Sequence, residues 1–389
     1  MNNTNKDILN YSDIHSFKLS KDRFLFFDIF HKNNEVILIC PLYNISSIPN
    51  INKIQIRYNN NILKIKKKIY DKTYGPIANN KKYGPIDNSK RYGPIAILIF
   101  NFASNDSCKL PRQALCRGTF RFSERAGIQS LRDLPLSITL PSASCNEFEV
   151  IYKNITKKYT LHHASNSGPS KTKVLTLTTL FKYDYKLINI FYDYYKKQGV
   201  EYFYLYYNGK LTDDIINLCN KPDIKLIEWD FKYWNTDCKI AYKHHAQLGQ
   251  IHHATYKYGK NETEYMIFND LDEYMYVPNK TLINLVSDKE YDTYGFCNYW
   301  SNTLDNKIPD VFPNKFKIGN KIKFGVRSKC IHKLDSIVAV GIHFIKCYSV
   351  SNPKKDCKYM LFHFCKWGKR FKGGRSQTNF KTNKIFEII

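Results

Sequence analysis

The sequence predicts an α/β protein, a mixed sheet flanked by helices, with a mainly β region ahead of it. Three observations carry that expectation. From Val174 onward, short apolar runs alternate with stretches of helical periodicity. Before Gly168, apolar runs rich in β-branched and aromatic residues are separated by Asn, Ser, Pro and Gly, and helical periodicity is scarce. Between the two lies His162–Lys173 (HHASNSGPSKTK), small, polar and broken by Gly-Pro, which reads as a linker. The division is therefore placed at 1–168 and 169–389. A length of 389 residues fits two domains, since one domain takes about 150 residues.

In the first region Val36–Cys40, Ile54–Tyr58, Ile95–Phe102 and Phe148–Tyr152 read as strands. A Tyr-Gly-Pro-Ile unit recurs at Tyr74, Tyr83 and Tyr92. Three short copies cannot bury a solenoid core, so they read as an expanded surface loop. In the second region Val174–Leu180 is a strand. Asp184–Gln198 then sets Leu187, Phe191, Tyr194 and Tyr195 on one helical face, and Gly199 provides the stop. Val200–Tyr207 is a buried strand, Thr212 caps a short helix through Cys219, and Ile224–Trp229 is a third strand. Ala241–Tyr258 is a long helix and Glu264–Asn269 a fourth strand. Strands alternating with helices imply right-handed crossovers and a largely parallel sheet, whose ligands bind beyond the carboxyl ends of the strands.

Composition excludes some classes. With 43% hydrophobic residues the chain is neither disordered nor collagen-like. A net charge of +26 attracts polyanions without choosing among nucleic acid, nucleotide phosphates, acidic glycans and membrane surfaces. The 11 cysteines form no C-x-x-C pair, which fits free thiols in a reducing compartment. Met1–Ser20 lacks the apolar stretch of a signal peptide, and no run reaches the roughly 18 apolar residues of a membrane span. The expectation is a soluble, cytoplasmic protein without a transmembrane segment, in a host cytoplasm if the source is viral.

The chemistry concentrates where the strand Tyr265–Phe268 runs into Asn269-Asp270-Leu271-Asp272-Glu273. Two carboxylates at i and i+2 just past a buried strand can share one hard divalent cation. Mg²⁺ or Mn²⁺ takes oxygen ligands and keeps room for phosphates, so the ion would bridge the protein to a diphosphate. The chain returns at once to apolar character in Tyr274–Val277, which separates this pair from a merely solvated turn.

The segment YMIFNDLDEYMYVP, Tyr265–Pro278, resembles the acidic block of glycosyltransferase family 92 and its family-2-like relatives. Upstream, IFYDYYKKQGVEYFYLYYNGKLTDD resembles their block of helix, Gly-Val and aromatic strand. Downstream, Gly341-Ile342-His343 and Phe362–Lys366 are similar to the closing histidine segments. The resemblance covers about Val174–Phe371 in order. It implies a GT-A fold, a nucleotide-sugar donor, UDP-linked, Mn²⁺ or Mg²⁺, and inverting transfer of a hexose such as galactose to a glycan or glycoprotein.

Carried over, Asp270 and Asp272 would meet the metal and the donor diphosphate, with Glu273 orienting the loop or a sugar hydroxyl. His363 would be a further metal ligand, with His343 as its rival. Leu180, Phe181, Asn208, Asp213 and Gln247 would flank the donor, and Lys366 with Arg370 would neutralise its diphosphate. One departure is Phe181-Lys182-Tyr183-Asp184, where the family carries a basic-Asn-Glu segment. An inverting reaction needs a carboxylate near the acceptor hydroxyl. Asp305 is assigned that role ahead of Asp310 and Asp335, and Trp300 offers a face for an acceptor sugar.

Two other readings use the same features. A metal-dependent nuclease or phosphohydrolase would use the acids but needs more of them. A non-catalytic nucleic-acid-binding protein would use only the charge and bind with steep salt dependence. His244-His245 and His252-His253 lack the Cys or carboxylate that would complete a zinc site, and read as a polar helix surface.

Overall fold

Two runs of the amino-terminal region, EVILICP and IAILIFN, are apolar at nearly every position. Such a run suits a strand buried on both faces. The computed structural model describes residues 14–32, 35–43, 51–70, 95–101, 146–161, 171–233, 245–322, 327–337, 340–342, 353–367 and 384–388. In it these runs are neighbouring strands of a middle sheet. That sheet holds β3 (Asp28–Lys32), β4 (Glu35–Pro41), β7 (Lys64–Tyr70) and β8 (Ile95–Asn101) in the order β3-β4-β8-β7. β5 (Gln55–Tyr58), β6 (Asn61–Ile62), β9 (Asn146–Tyr152) and β10 (Ile155–Leu161) form a second sheet, and β1 (Phe17–Ser20) pairs with β2 (Arg23–Phe26).

Alternation along the middle sheet supplies two cores. Val36, Leu38, Cys40, Ala96, Leu98 and Phe100 pack with Ile56, Phe148 and Val150 of the second sheet. The intervening Ile37, Ile39, Ile95, Ile97 and Ile99 belong to a different cluster, shared with Tyr206, Trp229, Ile251 and Phe268 of the carboxy-terminal half. A hydrophobic core therefore crosses the linker region. The Tyr-Gly-Pro-Ile repeats, apart from Ile95, lie outside the described residues, as does His162–Ser170 of the linker.

The carboxy-terminal half is built on a ten-stranded sheet. β11 (Lys173–Phe181), β12 (Tyr202–Tyr207), β13 (Ile224–Glu228) and β14 (Thr263–Phe268) are its parallel part, in the order β13-β12-β11-β14. β15 (Glu273–Tyr276), β16 (Thr293–Asn302), β17 (Lys315–Lys321), β18 (Lys329–Lys333), β19 (Pro353–His363) and β20 (Lys384–Glu387) complete it. β18 runs antiparallel to both β14 and β16. The expectation of a largely parallel sheet thus holds through β14, and beyond it the pairings are antiparallel except that of β16 with β19. β17 pairs antiparallel with β16 and β20, and β15 antiparallel with β19.

Helix α1 (Ile188–Lys197) buries Ile188, Ile190, Phe191, Tyr194 and Tyr195 against one face of this sheet. It stops at Gly199, whose φ of +86° is the left-handed conformation glycine adopts without strain. In α2 (Asp213–Leu218) Thr212 stands at the cap position, but its hydroxyl makes no cap hydrogen bond, contrary to expectation. Asp213 and Asp214 instead put negative charge in the first turn, where the helix dipole favours it. Helix α4 (Leu282–Ser287) is capped by Thr281 through Asn284 N–H.

The long helix expected over 241–258 is α3 (His245–His253) followed by a wider π-helical stretch, Ala254–Gly259; residues 241–244 lie outside the described residues. α3 lies between β11 and the middle sheet, touching β4 and β8. Gly249 permits that approach, because a Cβ there would fall 2.7 Å from the Phe27 ring. The polar-surface reading of His252-His253 is therefore corrected: both are buried. His253 lies 2.8 Å from the Asp28 carboxylate of β3 and 2.7 Å from the Tyr206 hydroxyl, while His252 Nδ1 meets the Leu248 carbonyl at 2.7 Å. Cys40, Cys219, Cys297, Cys330 and Cys365 are free and buried. Among the described residues no helix is long and apolar enough to cross a membrane.

Candidate functional site

The acidic turn sits at the carboxyl end of β14 and leads straight into β15. Its backbone closes on itself: Glu273 N–H donates to the Asp270 carbonyl (3.1 Å), and Asp270 N–H donates to Glu273 Oε2 (3.0 Å). Helix α1 braces it from beneath. The Tyr195 hydroxyl donates to the Glu273 carbonyl (2.9 Å) and accepts from Asn269 Nδ2 (2.6 Å) and Met275 N–H (3.0 Å). Tyr194 donates to the Met275 carbonyl at 2.6 Å. A turn carrying three acids within four residues repels itself, so these bonds hold it against that repulsion.

Sheet register brings the remaining groups in. β15 pairs with β19 so that Glu273 faces His363, and β19 pairs with β16 so that His363 faces Trp300. His363 Nε2 is 3.4 Å from Asp272 Oδ2, and its Nδ1 is 3.5 Å from Glu273 Oε1 and 3.1 Å from Asn298 Nδ2. On the other side, β18 is antiparallel to β14 and so begins where β14 ends. Its first residue, Lys329, reaches Asp270 Oδ2 at 3.3 Å and Glu273 Oε2 at 3.1 Å. Gln247 of α3 donates to Asp270 Oδ1 at 3.0 Å and accepts from the Tyr233 hydroxyl at 2.8 Å. A small cleft at this edge is lined by Thr178, Leu180, Gln247, Gln250, Asp270 and Lys329, among others.

Charge is unevenly distributed here. Glu273 is fully buried, which raises its pKa; Lys329 opposes that rise and Asp270 adds to it. Burial works against the charge on Lys329, yet Asp270 and Glu273 outweigh it and hold the ammonium above its usual range. His363 is likewise raised: burial opposes its protonation, and the carboxylates of Asp272, Glu273 and Asp270 overcome it. Asp270 and Asp272 keep 17% and 13% of their side-chain surface exposed and are the open members of the group.

The other expected residues are scattered around this centre. Leu180 lines the cleft, whereas Phe181 turns to the opposite core and meets Tyr207. Asn208 is buried and donates to the carbonyls of Trp229 (2.9 Å) and Phe231 (2.7 Å), tying the ends of β12 and β13. Asp213 is exposed at the start of α2, and Lys366 is exposed three residues beyond His363. The Trp300 ring lies 4.7 Å from the His363 ring, with the Arg327 guanidinium 5.2 Å from its own centroid. Asp305 is exposed on the loop after β16 and accepts from Lys307 N–H at 3.0 Å, which lowers its pKa. Asp310 is exposed, and Asp335 pairs with Lys171 at 2.5 Å. His343 and Arg370 lie outside the described residues.

Lys329 and Asn298 are not singled out in the sequence, and Tyr195 reads there only as part of a buried helical face. The strand that Lys329 opens, KCIHK, is polar at three of its five positions and gives no signal that this lysine is buried. Among the described residues no three His, Cys, Asp or Glu side chains converge as a preformed metal cage. The donor set still has the right chemistry for Mn²⁺ or Mg²⁺ at its open edge, with carboxylate oxygens from Asp270 and Asp272 and the imidazole of His363 beside them.

A mixed sheet with an acidic turn at the carboxyl end of β14 is what the comparisons with known proteins meet. The sequence profile of glycosyltransferase family 92 matches residues 174–385, more than half of the chain, and spans all of the site. The protein is thus a glycosyltransferase. It belongs to glycosyltransferase family 92. Among solved structures it resembles the apo form of a bifunctional glycosyltransferase, WbbM, at 10% identity and a TM-score of 0.21, over 40% of this chain and 30% of that one. A likeness that slight carries no further argument. No curated protein matches the chain.

Proposed function

We propose that the protein transfers a hexose, galactose for example, from a UDP-linked donor to a glycan or glycoprotein acceptor, with inversion and with the help of Mn²⁺ or Mg²⁺. The observation that carries this reading is the acidic turn at the carboxyl end of β14, where Asp270 lines a small cleft and Asp272 stands beside His363, the usual ligand position in such sheets. Asp270, Asp272 and His363 would hold the ion. When bound, it supplies Lewis-acid stabilisation of the departing diphosphate.

The residues themselves divide the remaining work. Glu273 and Tyr195 fix the turn, so that the two open carboxylates are set in place before the donor arrives. Gln247 orients Asp270. Trp300 and Arg327 form a stacked wall beside His363, on the side where an acceptor sugar would enter. Asp305, on the loop after β16, takes the acceptor proton in this reading; Asp305→Asn should lower kcat by about 10²- to 10⁴-fold, the usual contribution of such a group.

Thermal unfolding with a panel of nucleotide sugars, with and without Mn²⁺, tests the proposal. A donor at about a hundred times its Kd should stabilise the protein by about 2.7 kcal/mol. UDP-linked sugars should give the largest shifts, larger still with Mn²⁺, and Asp272→Asn should remove the Mn²⁺ increment. If no nucleotide sugar shifts the wild type in either condition, the donor assignment is wrong.

A further inference from the structure

We propose that Lys329 is the resident cation of the donor site: its ammonium sets the acidic turn and also meets the donor's diphosphate, so that nucleotide binding has a component requiring no metal ion. This rests on reading Asp270–Glu273 as the donor site.

Burial is the first support. The Lys329 side chain is 3% exposed, a position where an ammonium persists only with charged partners. It has two, Asp270 Oδ2 at 3.3 Å and Glu273 Oε2 at 3.1 Å. An ammonium carries three donor hydrogens. Two serve the carboxylates, and a phosphoryl oxygen in the cleft can take the third.

Location is the second. Lys329 lines the same cleft as Thr178, Gln247, Gln250 and Asp270. It thus sets a positive charge beside the Asp270 carboxylate and the neutral hydrogen-bonding groups of Thr178, Gln247 and Gln250, near the carboxyl ends of β11 and β14.

Rigidity is the third. Lys329 begins a strand hydrogen-bonded on both sides, to β14 and to β16, so its backbone is fixed relative to the acidic turn whether or not a ligand is present. The acidic group is then shared: Glu273 answers to the ammonium, Asp270 to the ammonium and to the ion it would hold, and Asp272 stands beside His363.

The test is calorimetric titration of UDP into the full-length protein, once in EDTA and once in Mn²⁺, for wild type, Lys329→Met and Lys329→Met/Glu273→Gln. The double variant removes one charge of each sign, so the turn is not left with an uncompensated buried carboxylate. If Lys329→Met does not fold, the double variant decides. Wild type should bind UDP in EDTA, and removal of the ammonium should weaken that binding at least tenfold in the folded variant. Two results overturn the inference while sparing the donor site: wild type binding UDP only with Mn²⁺, or the folded variant binding UDP in EDTA as tightly as wild type. Absence of UDP binding in both conditions would remove the donor-site reading as well.

Discussion

Tyr195 holds the acidic turn with one hydroxyl that makes three hydrogen bonds while fully buried. Tyr195→Phe keeps the ring, which stacks on Tyr274 at an interplanar angle of 8°, and deletes only that oxygen. It leaves the Asn269 amide and the Met275 N–H without this partner, at a cost of about 1–3 kcal/mol for a buried unsatisfied group. Urea denaturation should show that loss, and transfer activity should fall by more than the unfolded fraction explains, because Asp270 and Asp272 lose their fixed spacing. At this scale the sequence was informative only where the site is local. Asp270, Asp272 and Glu273 are neighbours in the chain and could be read as a unit. Lys329, Asn298 and Tyr195 reach the same point through strand register and helix packing, which no spacing in a single sequence encodes.

Elements fared better than their interfaces. β4, β8, β11, β13, β14 and α1 fall within a few residues of where apolar periodicity puts them, because a buried face is written into each segment by itself. Two things were not legible. The antiparallel return of β18 depends on pairing partners distant in sequence, and the burial of His253 depends on a carboxylate from another sheet. The α1 stop gives a direct check. A Cβ on Gly199 would lie 2.2 Å from Ile283 Cγ2, at a φ that an L side chain resists. Gly199→Ala should lower the denaturation midpoint by the equivalent of about 1–3 kcal/mol.

The joint between β3 and α3 gives a pH dependence. Burial pushes the His253 pKa down from 6.5 to about 4, although Asp28 pulls the other way. The unfolded chain therefore takes up this proton near pH 6.5 and the folded chain only near 4, so stability falls as the pH drops through that window. Burial alone would raise the Asp28 pKa, but Lys257 and His253 hold it well below 3.8; its contribution is present above that value and is lost in stronger acid. Tm measured from pH 7 to pH 4 should decline, and His253→Asn should flatten the slope.

For the whole molecule, the decisive feature is the hydrophobic cluster that joins Phe27, Phe30, Ile39 and Ile97 to Trp229, Phe231 and Ile251. The family match begins at residue 174, yet α3 packs between β11 and the amino-terminal strands β4 and β8 in that shared cluster. A fragment of residues 169–389 would expose that apolar surface. Expressed alone it should aggregate, or unfold without a cooperative transition by circular dichroism. The sequence changes texture near residue 168, but texture reports local structure and not where a core ends.

That shared cluster also settles how the molecule can move. Domains hinge when the interface between them is small and polar, and a large apolar one welds them. A spin-label pair with one probe on β9 and the other on α2 should therefore report the same distance before and after donor binding. Whatever enclosure the reaction requires must come from the loops at the strand ends, working against an immobile frame.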